Sequence, residues 1–108
     1  MVTYKQGDII VMDFNPIQGH EQRGRRPAIV LSNDILNQHS SLAFVCPITN
    51  THKNHPFHIK LDQRTQTTGV ILCDQAKMLD INAQNAQFKE KCPTDLWHEA
   101  KELVISFL

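Results

Sequence analysis

The chain lacks most of the features that would assign a small protein to a class at sight. No apolar run approaches the ~20 residues needed to cross a bilayer. The opening segment Met1-Val2-Thr3-Tyr4-Lys5-Gln6-Gly7-Asp8 has no apolar stretch of the signal-peptide kind. Both absences predict a cytoplasmic protein with no membrane association. Cysteine is scarce: Cys46, Cys73 and Cys92 make an odd number with no C-x-x-C pair. Cys46 and Cys73 fall inside apolar runs, where a thiol behaves as a small hydrophobe, so neither a disulfide nor a thiolate metal centre is expected. No charge of one sign prevails, since eleven Lys/Arg balance eleven Asp/Glu, which argues against a strongly basic nucleic-acid coat. The four glycines form no G-x-x-x-x-G-K, G-x-G-x-x-G or G-x-S-x-G pattern, leaving little material for a phosphate-cradling loop or a nucleophile elbow.

What is present fits one domain over residues 1–108 with one modest core. Gly7-Asp8 reads as a turn into a β-type run, Ile9 to Phe14. A long polar stretch from Asn15 to Arg26 follows, and Pro27 opens a short buried-type strand, Ala28 to Ser32. Asn33-Asp34 and Asn37 to Ser41 carry turn chemistry. Leu42 to Ile48 is the next strand, and its Pro47 predicts an edge or a bulge. Phe57 to Leu61 alternates apolar and polar residues as a half-buried strand does, and Gly69 to Cys73 is a further strand. Only the end reads as a helix: Leu96, Trp97, Ala100, Leu103, Val104 and Phe107 share one face of a 3.6-residue period. Thr94 is placed to cap it and Asp95 to favour its positive end. The predicted architecture is β-rich (α+β), a small, strongly bent sheet or barrel with a C-terminal helix.

Charge and histidine are unevenly spread. Residues 20–64 hold six Lys/Arg against three Asp/Glu, a net of +3 that the rest of the chain cancels, and five of the six histidines lie there. Three of these, His52, His55 and His58, have a spacing that suggests a metal site, but Pro56 breaks any helix that would align them, so none is expected. The densest polar cluster is Gly19-His20-Glu21-Gln22-Arg23-Gly24-Arg25-Arg26-Pro27. It reads either as a solvated loop or as an anion-binding face. Glu21 and His20 offer a base and an acid. Arg26, restricted by the proline after it, offers a guanidinium whose planar fork pairs two phosphate oxygens.

These residues also carry a resemblance. Gly7-Asp8 before an apolar run, Asp13-Phe14-Asn15-Pro16, Gly19-His20-Glu21-Gln22, Arg26-Pro27-Ala28-Ile29-Val30-Leu31-Ser32, Pro47-Ile48-Thr49, Thr67-Thr68-Gly69-Val70, Cys73-Asp74-Gln75 and Leu79-Asp80 occur in order. The series resembles the MazF/PemK family of bacterial toxins over roughly residues 6–80. The resemblance implies a compact SH3-like barrel of the CcdB/PemK type, a homodimer, and a cognate antitoxin protein as partner. The implied activity is sequence-specific cleavage of single-stranded RNA with no cofactor or metal. It also implies Arg26 and Thr49 as the catalytic pair, and base or substrate-contacting roles for His20 and Asp74. The PemK branch carries a catalytic Arg where this chain has Leu72, which shifts the burden to Arg26.

RNA supplies its own nucleophile, the 2′-OH. The protein must therefore hold an in-line geometry, move two protons and stabilise charge on the phosphorus. Arg26 and Thr49 suit the charge, and Glu21 and His20 are the available base and acid. Gln22, Arg23, Arg25, Asp74 and Gln75 are the remaining candidates for RNA contact. Two other readings stay open. The CcdB-like gyrase poisons share the fold but depend on a C-terminal Trp-Gly-Ile, whereas this chain ends Ile105-Ser106-Phe107-Leu108. The third reading is a catalytically inactive RNA-binding module.

Overall fold

The computed structural model describes residues 3–14, 24–50 and 54–108. In these residues the chain forms seven strands and two α-helices. They run β1 (Asp8–Phe14), β2 (Gly24–Val30), α1 (Asp34–His39), β3 (Leu42–Thr49), β4 (His58–Lys60), β5 (Val70–Leu72), β6 (Lys77–Asp80), β7 (Gln87–Lys91) and α2 (Thr94–Ser106), with a 3₁₀ turn at Cys73–Gln75 between β5 and β6. The strand order is β4-β5-β3-β2-β1-β7, with β6 also paired to β3, and every pairing is antiparallel. The β-rich architecture with a C-terminal helix is the one the sequence predicts. No helix is long and apolar enough to cross a membrane among the described residues.

The central strands are apolar on both faces, which is why they read as unbroken hydrophobic runs. Ile9, Ile29, Cys46, Ile48, Ile59 and Ile71 form one buried cluster, and Leu96, Ala100 and Val104 of α2 seal it. Ile10, Met12, Phe14, Ala28, Val30, Ala43 and Val45 form a second cluster on the other face, joined by Tyr4 and Ile81. Burial at ~25 cal/mol per Å² makes these two clusters the main source of stability. All three cysteines are buried free thiols. Burial pushes the Cys92 thiol up to about 12.

Several local expectations need correction. β2 begins at Gly24, not after Pro27, so Arg25 and Arg26 stand in the ladder against Asp13 and Met12 of β1. The turn expected after Asn33 is the helix α1. The Asn33 side chain caps it by accepting from Leu36 N–H at 3.0 Å, and the buried Asn37 amide donates to Ser32 C=O at 3.1 Å. Short polar side chains suit caps and turns alike, so the sequence did not separate the two. Pro47 lies in the centre of the sheet and not at an edge. On one side β3 pairs with β6 through Leu42–Val45 and with β5 through Ile48–Thr49. Pro47 stands where β3 passes from one partner to the other, at a gap in that ladder, so its missing N–H leaves no bond unmade. Thr94 is the first residue of α2. Pro93 holds the cap position, with no side-chain cap bond. The sequence reading missed β6 and β7. β7 is an almost fully exposed edge strand with lysines at 89 and 91, a composition that protects an edge and shows no inward-facing period.

Candidate active site

β2 and β3 run antiparallel through Val30↔Val45, Ile29↔Cys46 and Ala28↔Pro47. Carried two residues beyond the last pair, that register sets Arg26 opposite Thr49. Side chains two apart share a face, so Arg26 follows Ala28 and Val30, and Thr49 follows Pro47 and Val45. Arg26 is half-buried and Thr49 is buried, with 4% of its surface exposed. Its position at the end of an apolar run predicts exposure, but pairing on both sides encloses it. Thr49 pairs with Val70 of β5, which in turn pairs with Lys60 of β4. One row of residues, Arg26, Thr49, Val70 and Lys60, therefore crosses four strands and spans ~14 Å at ~4.8 Å per strand. Cations stand at both ends of the row and a hydroxyl within it.

Gly69 makes this packing possible. Its φ of +111° lies where L side chains rarely go, and a Cβ there would meet the Thr49 carbonyl oxygen at 2.2 Å. Beside it, Thr68 Oγ1 donates to Asn50 Oδ1 at 2.9 Å, tying the two strand ends together.

Along β4 from Lys60, His58 shares the same face and stands opposite Leu72. The chain then enters the 3₁₀ turn, which carries Asp74 to 3.4 Å from His58 Nε2 and leaves Asp74 and Gln75 exposed. His55 lies over His58, ring centroids 4.7 Å apart and 26° from parallel. The cause is a tight turn in which His58 N–H donates to His55 C=O at 3.1 Å. Pro56 occupies the second position of that turn, which its fixed φ favours. The proline that rules out a helix thus brings two of the three histidines together.

Arg25 takes the opposite face. Its guanidinium donates to Asp13 Oδ1 and to Gln87 Oε1, both at 3.1 Å. Hydrogen bonds from Asn85 and Arg25 hold the Asp13 carboxyl below its ordinary range. Arg25 is thus bound into the joint of β1, β2 and the start of β7. His20, Glu21, Gln22, Arg23 and His52 lie outside the described residues. Lys60, not among the site candidates, is detectable with His58 as a polar member of the alternation Phe57 to Leu61. The Asn50–Thr68 bond had no signal in the sequence.

With this geometry in place, comparison with known proteins is specific. The model of the family described as "PemK-like, MazF-like toxin of type II toxin-antitoxin system" matches residues 5–108. The endoribonuclease toxin MazF of Escherichia coli K12 is 39% identical over 83 residues, covering 77% of this chain and 74% of that one. The crystal structure of MazF from Deinococcus radiodurans superposes with a TM-score of 0.91 at 33% identity, covering 99% of this chain and 97% of that one. A MazE–MazF structure from the same organism gives 0.87 at 33% identity, over 99% and 96% of the two chains. Matched by the family model over nearly its whole length and by close relatives in sequence and structure, the protein belongs to the PemK-like, MazF-like toxins of type II toxin–antitoxin systems.

Proposed function

We propose that this chain is the toxin of a toxin–antitoxin pair and acts as an endoribonuclease that cuts single-stranded RNA, with Arg26 and Thr49 as its catalytic pair. The observation that carries the reading is the β2–β3 register, which, carried two residues past Ala28↔Pro47, sets the guanidinium and the hydroxyl on one face of the sheet. The endoribonuclease named among the relatives supports the reaction class.

The chemistry follows from these groups. The RNA 2′-OH attacks the adjacent phosphorus in line with the departing 5′ oxygen, so the protein need supply no nucleophile. Arg26 stabilises the charge that gathers on the phosphoryl oxygens, since its fork pairs two of them and it cannot be deprotonated. Thr49 donates its hydroxyl to one of the same oxygens. Glu21 and His20 supply the base and the acid. Lys60, at the far end of the row, attracts the backbone of a strand laid across the sheet. Gln22, Arg23, Asp74 and Gln75 contact the RNA beyond the scissile bond, and Arg25 has a lesser share because its side chain is already engaged. The products are a 2′,3′-cyclic phosphate and a 5′-hydroxyl.

The rest of the reading follows the resemblance: a single domain over residues 1–108, a sheet curled into an SH3-like barrel, a homodimer, a cytoplasmic location and an antitoxin that covers the RNA face. The MazE–MazF structure of the relative supports a protein partner. The test is to incubate purified protein with mixed RNA in EDTA and to map the new 5′ ends. Cleavage at a recurring short motif, leaving 5′-hydroxyl ends, is the expected result. Intact RNA under all conditions would overturn the assignment.

A further inference from the structure

We propose that His55, His58 and Asp74 form a binding site for a divalent transition-metal ion of the zinc class. One ligand atom from each of the three lies within 4.8 Å of the other two. Their types suit that class, because imidazole and carboxylate together favour zinc, nickel and copper over calcium or magnesium. The spacing also suits it. Ligands ~2.0–2.1 Å from a tetrahedral ion stand ~3.4 Å from one another. His58 Nε2 and Asp74 Oδ1 are 3.4 Å apart. That is long for a charge-assisted hydrogen bond, which closes to ~2.7–2.9 Å, and it matches one edge of a metal tetrahedron.

The third ligand sits where it can adjust. His55 is exposed, on the tight turn that stacks its ring over His58. Its Nδ1 accepts the Phe57 N–H at 3.1 Å. A ring accepting at Nδ1 carries its proton on Nε2, so ligation requires His55 to give up that one exposed bond. His58 Nδ1 is buried without a hydrogen-bond partner. A strong site gives each ligating imidazole an outer acceptor, and the described residues give His58 none. Both features make the site weak and exchangeable, fitted to an ion that comes and goes and not to a permanent structural one.

An ion held there occupies the Asp74 carboxylate and ties the β3–β4 connection to the 3₁₀ turn. On the reading that Asp74 contacts RNA, on which this consequence rests, metal and RNA exclude each other and the ion inhibits cleavage reversibly.

The experiment uses tag-free, full-length protein, stripped of metal. Zn²⁺ is titrated by calorimetry, and Co²⁺ serves as a spectroscopic probe of the ligand field. One ion per chain is expected, with Co²⁺ absorption in the visible range. Changes outside the ligand set already cost ~10–100-fold in affinity. Asp74→Asn and His55→Ala, both at exposed positions, should therefore each weaken binding by more than tenfold. His98→Ala, at an exposed position on α2, should leave binding unchanged. Binding that is equal in wild type and in the Asp74→Asn/His55→Ala double variant, or that is lost in His98→Ala, would overturn the site. RNA cleavage in the presence of Zn²⁺ separates the two readings. Wild type should be inhibited, and His55→Ala should resist inhibition. If Zn²⁺ binds with the expected ligand pattern while cleavage proceeds unchanged, the metal site stands and the RNA contact assigned to Asp74 fails.

Discussion

The row from Arg26 to Lys60 and the cluster of His55, His58 and Asp74 adjoin each other, yet they are fixed by different means. In the row, Arg26 and Thr49 stand on strands whose neighbouring residues are buried on both faces of the sheet. The cluster hangs on a tight turn and a short 3₁₀ turn, and two of its three side chains are exposed. A group fixed by ladder bonds and packing holds a reacting phosphate to within a fraction of an ångström, as in-line displacement requires. A group on a turn can adjust to what it binds. The comparison therefore assigns chemistry to the row and adaptable contact to the cluster.

The strongest test of that division is rate. Arg26→Ala and Thr49→Val should each lower cleavage by ~10²–10³-fold, the usual cost of one donor to a developing charge. Arg26→Lys should not restore it, because a point charge cannot reproduce the fork. Thr49→Ser, which keeps the hydroxyl, should recover most of the rate. Because Thr49 is buried, Thr49→Ala also costs about 1–2 kcal/mol of stability. The near-isosteric Val and the Ser variant separate that loss from catalysis. Asp74→Asn should fall far short of these losses when initial rates are compared at saturating RNA. A loss equal to that of Arg26→Ala would move the chemistry into the cluster.

Next in size is a change at Gly69, which touches the row without contributing a functional group. An added methyl at φ +111° would meet the Thr49 carbonyl at 2.2 Å. Strained backbone and overpacking together cost about 2–5 kcal/mol. Gly69→Ala should therefore lower the denaturation midpoint markedly, and the molecules that remain folded should cleave slowly because Thr49 has been pushed aside. A fully stable Gly69→Ala with normal activity would show that the row tolerates displacement, contrary to the division drawn above.

A smaller effect concerns how the connection leading to Gly69 is held. Glu90 of β7 accepts from Gln66 N–H at 3.0 Å, Thr67 N–H at 2.8 Å and Thr67 Oγ1 at 2.6 Å. Partial burial pushes the Glu90 carboxyl up, but these hydrogen bonds prevail and hold it below its ordinary value. A carboxyl whose folded pKa is depressed adds stability above the unfolded value, ~4.3 for glutamate. That stability is lost as pH falls through the folded value. Glu90→Gln should cost about 1–2 kcal/mol at neutral pH, hydrogen bonds to charged groups being worth less where half-exposed. It should also flatten the fall in stability below pH ~4. Urea unfolding at neutral and acid pH measures both. An unchanged acid slope would mean that Asp13, Asp62 and Asp95, whose carboxyls are also depressed, account for all of it.

How legible these regions were in the sequence depended on where their information lay. Strands buried on both faces, β1 to β3, announced themselves as apolar runs, and α2 did so by its period. β7 buries little, so its residues Gln87 to Lys91 carry no apolar period. The Arg26–Thr49 row was reached through a family resemblance, because register between strands is not written in either strand alone. The joining of His55 and His58 is written in the sequence at Pro56. Proline two residues before the second histidine excludes a helix and equally favours a tight turn.

The smallest expected effect is at Arg25, and it bears on the comparison most directly because Arg25 adjoins Arg26. Neighbours on a strand point to opposite faces, and Arg25 is spent on Asp13 and Gln87 at 3.1 Å each. Arg25→Ala should accordingly leave turnover within a few-fold of wild type. It should weaken RNA binding slightly through the lost charge and lower the melting temperature by a small amount. Asp13→Asn should reproduce the thermal effect but strengthen RNA binding slightly where Arg25→Ala weakens it, since it removes a negative charge from the surface. The thermal effects should not add in the double variant, because both remove the same pair. They should also shrink in high salt, which screens an exposed ion pair. The RNA-affinity change should shrink in salt as well, through release of counterions from the nucleic acid. If Arg25→Ala abolishes cleavage while Arg26→Ala cleaves normally, the two side chains have exchanged faces. The register carried beyond Ala28↔Pro47 then fails, and with it the row as the place of chemistry.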